Sequence, residues 1–194
     1  SNLEEFGRLN RMINDMLFLA LTENAPDDLY LETVDLTEAT QGLFEYFEAW
    51  VEDRGVSLQL KGRAAPIQAD REMLRRALSN LLSNAIRYTP RGASITVRLH
   101  QDVGATTISV ENPGPKIPRQ ALSRIFDRFY RVDPSRQSKG EGAGLGLVIV
   151  KTIVEAHKGR IHAESDDSLT RFVVTLPHTF CNPLFATKAR LNDG

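Results

Sequence analysis

Helical and strand patterns follow one another irregularly along this chain, and their order constrains the fold more than any other feature. Apolar residues at helical spacing predict helices at 36–54, 69–88, 118–126 and 144–157. Alternating or short apolar runs predict strands at 29–34, 56–60, 94–101, 106–111, 160–164 and 171–176. Because these elements do not follow a steady β-α-β order, we predict a two-layer α/β sandwich.

The first 24 residues carry a separate helical pattern. Their apolar residues recur at spacings of 3, 4, 3 and 4, as in a coiled-coil seam, at Phe6, Leu9, Ile13, Met16 and Ala20. A helix this apolar needs a partner, which could be a second helix or the chain's own domain. Pro26 ends the pattern near Asn24. We therefore predict a helix at 1–24, a domain at 25–178 and a weakly patterned tail at 179–194.

The composition argues against several classes of protein. The 24 basic and 25 acidic residues give a net charge of −1, which is unlike the basic footprint of a nucleic-acid-binding domain. The single cysteine, Cys181, cannot form an internal disulfide and favours a reducing compartment. No apolar run approaches the roughly 20 residues that cross a bilayer. We expect a cytosolic domain, and its start inside a helical pattern without a methionine predicts a piece of a longer protein.

A glycine-rich run, GEGAGLGL at 140–147, directly precedes the apolar helix predicted at 144–157. Glycines let backbone N–H groups approach an anion closely, and a helix amino end attracts negative charge. The run does not match the Rossmann fingerprint, because its third glycine comes one position early, and it lacks the Gly-Lys-Ser/Thr of a P-loop. A phosphate site and a flexible loop that leads into a helix both remain open on this evidence.

Two asparagines, Asn80 and Asn84, lie one turn apart in the helix predicted at 69–88. They interrupt its apolar face, which is costly unless they bind something. Amide oxygens so placed could hold a Mg²⁺ that keeps most of its waters. Arg87 and Tyr88 follow with a cation for phosphate and a ring for stacking. The alternative is that both amides face solvent.

Two later segments carry polar groups that could serve a ligand. Asn112 ends a predicted strand beside a Pro-Gly turn and could accept a hydrogen bond from an exocyclic amine, although turn formation alone also explains it. Between Arg119 and Lys139 six basic residues face two acidic ones. This local excess is typical of an anion-facing loop, or of a solvated connector.

These four segments, in this order, resemble the N, G1, F and G2 boxes of sensor histidine kinases. The N-P-G and F-D-R-F-Y-R-V-D-P-S-R stretches resemble most closely the heavy-metal (copper/silver-type) sensor subgroup. The resemblance runs from the first helix through Pro177. It implies a GHKL (Bergerat) sandwich of a mixed sheet and helices, in which ATP lies between the helices and a lid.

The resemblance also implies a role for each matching residue. Asn84 would ligate Mg²⁺ with Asn80 in support, and these two with Arg131 form the implied catalytic set. Asn112 occupies the place of an aspartate that reads the adenine amino group in most histidine kinases, and Lys116 replaces a glycine of the same box. The implied nucleotide-binding set is Asn80, Asn84, Arg87, Tyr88, Asn112, Gly114, Ile117, Phe129, Tyr130, Arg131, Lys139, Gly140, Gly142, Gly144, Leu145, Gly146, Leu147 and Thr170.

The chemistry implied by the family is transfer of the γ-phosphoryl group of Mg-ATP to a histidine and then to the receiver domain of a response regulator. Related gyrase and Hsp90 ATPases carry a glutamate where this chain has Asn80. An amide cannot act as a general base, which favours transfer over hydrolysis. The family's acceptor histidine lies on a hairpin upstream, with 1–24 resembling the second helix, so this chain alone should not phosphorylate itself.

The resemblance further implies a homodimer through that hairpin and a cytoplasmic position beneath an inner membrane, reached by upstream membrane spans. Two rival hypotheses stay open. One is a stand-alone ATPase or a serine-directed kinase of the same fold. The other is a non-catalytic binding module, because Asn112 and Lys116 depart from the family pattern.

Overall fold

The computed structural model describes residues 2–24, 28–132 and 144–178. In chain order the elements are α1 (Asn2–Asn24), β1 (Leu31–Val34), α2 (Leu36–Arg54), β2 (Ser57–Gly62), β3 (Ile67–Asp70), α3 (Arg71–Tyr88), β4 (Ser94–Gln101), β5 (Ala105–Asn112), α4 (Arg119–Leu122), α5 (Gly146–Ala156), β6 (Arg160–Ser165) and β7 (Thr170–Pro177). Within these three stretches, no helix combines the length and apolar character that a membrane span needs. The predicted tail at 179–194 lies outside the described residues, as do Lys139, Gly140 and Gly142.

A five-stranded sheet in the order β2-β4-β5-β7-β6 forms the centre of the fold. β2 and β4 run parallel and the other neighbours are antiparallel, so the sheet is mixed. Helices α2, α3 and α5 pack on one face, where alternate strand residues share a single apolar core with them. The prediction of a two-layer α/β sandwich is confirmed.

The start of α3 differs from the sequence prediction, which began this helix at Ala69. Residues Ile67–Asp70 instead form β3, which pairs antiparallel with β1 in a separate two-stranded sheet. Asp70 then caps α3, because its Oδ1 accepts the Met73 N–H at 3.1 Å. Its own N–H donates to Nε2 of the buried His157 at 3.0 Å. The partners that define the strand are distant along the chain, so the local pattern alone did not separate it from the helix.

α1 packs on the domain through one side only. Leu19 on this side is 1% exposed. Arg76 of α3 donates to Asp15 at 2.7 Å, and its guanidinium lies 4.1 Å from the centre of the Phe18 ring. The predicted seam is exposed at Phe6, Leu9, Ile13 and Met16. The domain therefore covers a different side of α1 from the seam, and the seam's own partner stays a prediction.

Two predicted helix boundaries are wrong near the connection between α4 and α5. The helix predicted at 118–126 is the single turn Arg119–Leu122, followed by turns. Phe126 beyond it stacks edge-on to Phe172 of the core, with ring centres 6.3 Å apart. The helix predicted from Gly144 begins at Gly146, because Gly144 has a φ of +77°, which an α-helix does not accommodate.

Candidate functional site

Asn80 lies on the side of α3 that faces the amino end of α5. Its amide nitrogen donates to the carbonyl of Gly146, the first residue of α5, at 3.2 Å. Since a carbonyl only accepts, the nitrogen must face Gly146, and the Asn80 side-chain oxygen is left as an acceptor. Asn84 follows one turn later and is half-buried, and its side chain makes no hydrogen bond to any described residue. Both side-chain oxygens are therefore uncommitted, and Asn80 places its own beside the start of α5.

The amino end of α5 has the properties of an anion site. No side chain in the described stretches caps it, and its first turn contains no acidic residue. Its leading N–H groups therefore carry an unbalanced positive partial charge. Leu145 is buried just before the helix, and Gly146 and Leu147 are half-buried. This burial fixes the position of the helix end, beside the Asn80 side chain that donates to Gly146.

The loop between α4 and α5 closes at its base through Phe129, Tyr130 and Gly144, which we call the loop base. The Phe129 N–H donates to the Gly144 carbonyl at 3.1 Å, and both residues have positive φ angles. A Cβ at Gly144 would lie 3.1 Å from the Phe129 Cα, so glycine is needed there. Arg124 lies over the Tyr130 ring at 4.5 Å. The loop base thus holds the entry to α5 against the segment that carries Arg131.

Arg87 feels the positive charges of two other arginines. Burial lowers the pKa of Arg87, Tyr88 opposes this effect, and the positive charges of Arg131 and Arg11 lower the pKa further. These groups come from α3, from the segment after the loop base and from α1. These like charges disfavour the charged form of Arg87, and a bound anion would offset that effect. The electrostatics therefore favour a phosphate-rich ligand.

The other end of the site is polar and lies on three neighbouring strands. Asn112 and Thr170, only 4% and 5% exposed, are paired across β5 and β7. Ser165, paired with Thr170 across β6, places its Oγ 2.7 Å from Thr170 Oγ1. The Ile117 N–H donates to the same Ser165 Oγ at 2.9 Å. Sequence reasoning missed Ser165, because only the strand register brings it beside Thr170.

Gly114 joins this polar end to α3. A Cβ at Gly114 would lie 2.9 Å from the Tyr88 carbonyl oxygen and 3.3 Å from the Asn112 amide nitrogen. Only glycine permits this close approach. Tyr88 itself is 40% exposed, so its ring can contact a ligand. The end of α3 and the turn after β5 thus form one continuous wall.

Two charged residues near Asn112 form ion pairs that stabilise the structure. Lys116 donates to Asp167 in the β6–β7 turn at 3.0 Å, and both side chains are exposed. Burial raises the pKa of Glu111, but hydrogen bonds from Arg98 and Ser109 and the charge of Arg171 outweigh that effect and lower it. Glu111 therefore holds neighbouring strands together.

Most of the predicted set falls into two groups. The first lies at the α5 amino end and contains Asn80, Phe129, Tyr130, Arg131, Gly144, Leu145, Gly146 and Leu147. Asn84 and Arg87 follow Asn80 along α3, and Arg131 acts on Arg87 through its charge. The second surrounds the polar strand end and contains Tyr88, Asn112, Gly114, Ile117 and Thr170. Helix α3 links the two, since Arg87 and Tyr88 are adjacent.

A mixed sheet covered by helices, with amides on α3 and a glycine-entered helix opposite them, defines a GHKL-type ATP-binding domain. Residues 69–179 match the family described as histidine kinase-, DNA gyrase B- and HSP90-like ATPase, and the chain belongs to this family. The prediction of an ATP-binding catalytic domain of the histidine kinase kind is confirmed.

Relatives with the same domain are sensors. The chain is 52% identical over 177 residues to the sensor histidine kinase CusS of Escherichia coli K12, which covers 91% of the chain and 37% of CusS. It is 46% identical over 183 residues to the probable sensor kinase SilS of Salmonella typhimurium, covering 91% of the chain and 36% of SilS. The chain thus spans little more than a third of the length of these relatives.

Solved structures share the fold. The histidine kinase AdeS of Acinetobacter baumannii superposes with a TM-score of 0.78 at 24% identity, covering 91% of this chain and 81% of AdeS. Full-length ShkA, solved in complex with AMPPNP, gives a TM-score of 0.78 at 26% identity over 87% of this chain and 35% of ShkA. The expected GHKL architecture is therefore confirmed.

Proposed function

We propose that the intact protein transfers the γ-phosphoryl group of ATP from this domain to a histidine outside residues 1–194, and then to an aspartate of a response regulator. The observation that carries the proposal is the Asn80–Gly146 hydrogen bond, because it holds one of the two α3 amides against the uncapped amino end of α5. The sensor kinases among the relatives support the same activity.

The phosphates would lie between the amino end of α5 and the guanidinium groups of Arg87 and Arg131. Charge neutralisation by N–H groups and arginines is the main contribution that a protein makes to phosphoryl transfer. The loop base would hold Arg131 in place. The ribose and base would extend along Tyr88 toward Asn112 and Thr170.

The free amides fit a magnesium ion. The Asn84 side chain has no hydrogen-bond partner among the described residues, and the Asn80 oxygen is uncommitted because its nitrogen binds Gly146. Neutral oxygen ligands suit a Mg²⁺ that is also held by phosphate and water. Mg²⁺ at Asn84 would supply neutralisation of phosphate charge. Asn80 cannot remove a proton from water, so transfer rather than hydrolysis is favoured.

The proposed acceptor is a histidine on a helical hairpin of which α1 is the second helix. His157 is buried, with both ring nitrogens hydrogen-bonded, so it cannot be the acceptor in this fold. The exposed seam of α1 supports pairing with the first helix of that hairpin and with a second protomer. We also propose that the intact protein places this domain on the cytoplasmic side of an inner membrane.

The first test measures Mg²⁺-dependent binding of a fluorescent ATP analogue. Asn84→Ala should weaken binding about tenfold or more with Mg²⁺, because a metal ligand is lost, and change it little in EDTA. Gln41→Ala removes a similar amide from the exposed face of α2 and should change neither value. If Asn84→Ala and Gln41→Ala bind the ATP analogue equally well with Mg²⁺ present, the magnesium assignment is contradicted.

The transfer reaction is tested with γ-labelled ATP. The chain alone should bind ATP without labelling itself, and should label an added hairpin fragment of the intact protein at histidine. Phosphate release without hairpin labelling would favour the stand-alone ATPase. No binding at all would favour the non-catalytic module.

A further inference from the structure

The sheet face covered by the helices ends in a polar rung, meaning three residues side by side on β5, β7 and β6. The register pairs Asn112 with Thr170 and Thr170 with Ser165. The preceding rung on the same face is apolar and consists of Val110, Phe172 and Ala163. A polar rung on the covered face is costly unless its groups are satisfied or bind a ligand.

The first member of this rung presents an acceptor. The Asn112 amide nitrogen donates to the Pro113 carbonyl at 3.0 Å. Because that carbonyl has no proton to give, the side chain cannot turn over without losing the bond. The Asn112 oxygen is therefore left as an acceptor, and no described residue donates to it.

Ser165, the third member of the rung, orients the hydroxyl proton of Thr170, the second member. Ser165 Oγ receives the Ile117 N–H at 2.9 Å and lies 2.7 Å from Thr170 Oγ1. A hydroxyl that accepts one hydrogen bond becomes a better donor in the next, so the chain runs from the Ile117 N–H through Ser165 to Thr170. When Ser165 donates to Thr170, the Thr170 proton is free to point into the cleft.

The rung then offers an acceptor at Asn112 beside a donor at Thr170. The Watson–Crick edge of adenine carries an amino donor beside the ring acceptor N1, whereas guanine carries an acceptor beside an N–H. We propose that Ser165 is a positioning residue that sets base specificity, by holding the Thr170 hydroxyl as a donor to N1 directly or through one water. This inference rests on the proposed function, since it requires ATP at this site.

The test combines substitutions at Ser165 with a change in the base. Ser165→Ala should weaken ATP binding about fivefold to tenfold, as expected for one lost neutral hydrogen bond, and should narrow the preference for ATP over GTP. Against 1-deaza-ATP, in which N1 is replaced by carbon, the wild type should bind more weakly and Ser165→Ala should cause no further loss. Ser165→Thr retains the hydroxyl and should restore the ATP preference.

Ser57→Ala is the matched control. Ser57 also lies on a strand and shares a 2.7 Å hydroxyl contact, with Ser94, but at the opposite edge of the sheet. It should leave both nucleotide affinities unchanged, and thermal melting should show that every variant is folded. If Ser165→Ala weakens ATP and 1-deaza-ATP equally, or leaves ATP binding unchanged, Ser165 does not act through N1 and the inference is overturned. If the wild type binds no nucleotide, the proposed function itself is wrong.

Discussion

At the scale of single residues, the site depends on close contacts that only certain side chains permit. Gly144 and Gly114 are required because a Cβ would meet backbone atoms of the loop base or of Tyr88. Asn80 contributes in a different way, since its nitrogen ties α3 to α5 and its oxygen stays available. Binding capacity here therefore comes from backbone proximity as much as from charge.

Gly144 gives a prediction that separates backbone strain from steric contact. Gly144→Ala should lower the free energy of unfolding by more than the roughly 1 kcal/mol expected for a positive φ alone, and should weaken ATP binding by shifting the loop base. Gly92 has a φ of +86° with open space around it, so Gly92→Ala carries the strain without the contact. Urea unfolding and nucleotide titration of both variants provide the measurement. Unchanged ATP affinity in Gly144→Ala would show that the loop base does not position the α5 entry.

At the scale of secondary-structure elements, α1 is attached to the domain by few contacts. Arg76 of α3 engages Asp15 and Phe18, and Arg128 near the loop base pairs with Glu23 at the end of α1. These ion pairs are partly exposed, so each contributes little alone. The contacts nevertheless connect the helix that carries the seam with both α3 and the loop base.

The Arg76 contacts predict that loss of this side chain weakens the attachment of α1 to the domain. Arg76→Ala should accelerate amide exchange in α1 and lower stability by about 1 kcal/mol, because it removes one ion pair and one cation–π contact. The neighbouring Arg75 is exposed and makes no contact of either kind with a described residue, so Arg75→Ala is the control. Hydrogen exchange read by mass spectrometry resolves α1 from α3. Equal exchange in the two variants would contradict a role for Arg76 in docking α1.

At the scale of the whole molecule, two hairpin turns of the sheet contain an aspartate whose charged form is favoured by hydrogen bonds within the turn. Hydrogen bonds from the hydroxyl and N–H of Ser168 lower the pKa of Asp166 to about 2. The N–H groups of Gly104 and Ala105 lower the pKa of Asp102. The Asp166 turn lies beside Ser165 and Thr170, and the Asp102 turn lies at the other end of β5 from Asn112, so acid should loosen the sheet at both ends.

These shifts predict the direction of acid destabilisation. A folded pKa below the unfolded value means that Asp166 stabilises the fold above its unfolded pKa of 3.8, and that this contribution disappears as the pH falls to about 2. Asp166→Asn keeps an acceptor in the turn but cannot titrate, so its stability should fall less steeply across this window. Asp28→Asn, at an exposed position outside the helices and strands, should follow the wild type. The free energy of unfolding is measured by urea denaturation between pH 4 and pH 2. If it falls with the same slope in all three proteins, this linkage is excluded.

The sequence by itself determined which segments become most of the helices and strands, and it marked candidate residues for the chemistry, because both are local properties. Spacing along α3 placed Asn80 and Asn84 on one face, and the glycine run marked the start of α5. Two of the short elements were exceptions, namely β3 and the single turn of α4. Four residues contain too little periodicity to reveal their partners.

Only the tertiary structure decided which distant residues meet. Ser165 joins the site because β6 pairs with β7 in one register, and a shift by one residue would turn its hydroxyl to the other face. Lys116 pairs with Asp167, and His157 accepts a hydrogen bond from the Asp70 N–H. Both contacts join residues that are far apart in sequence. The physical reason is that register and packing are chosen by the whole core at once, whereas a sequence pattern reports only neighbours along the chain.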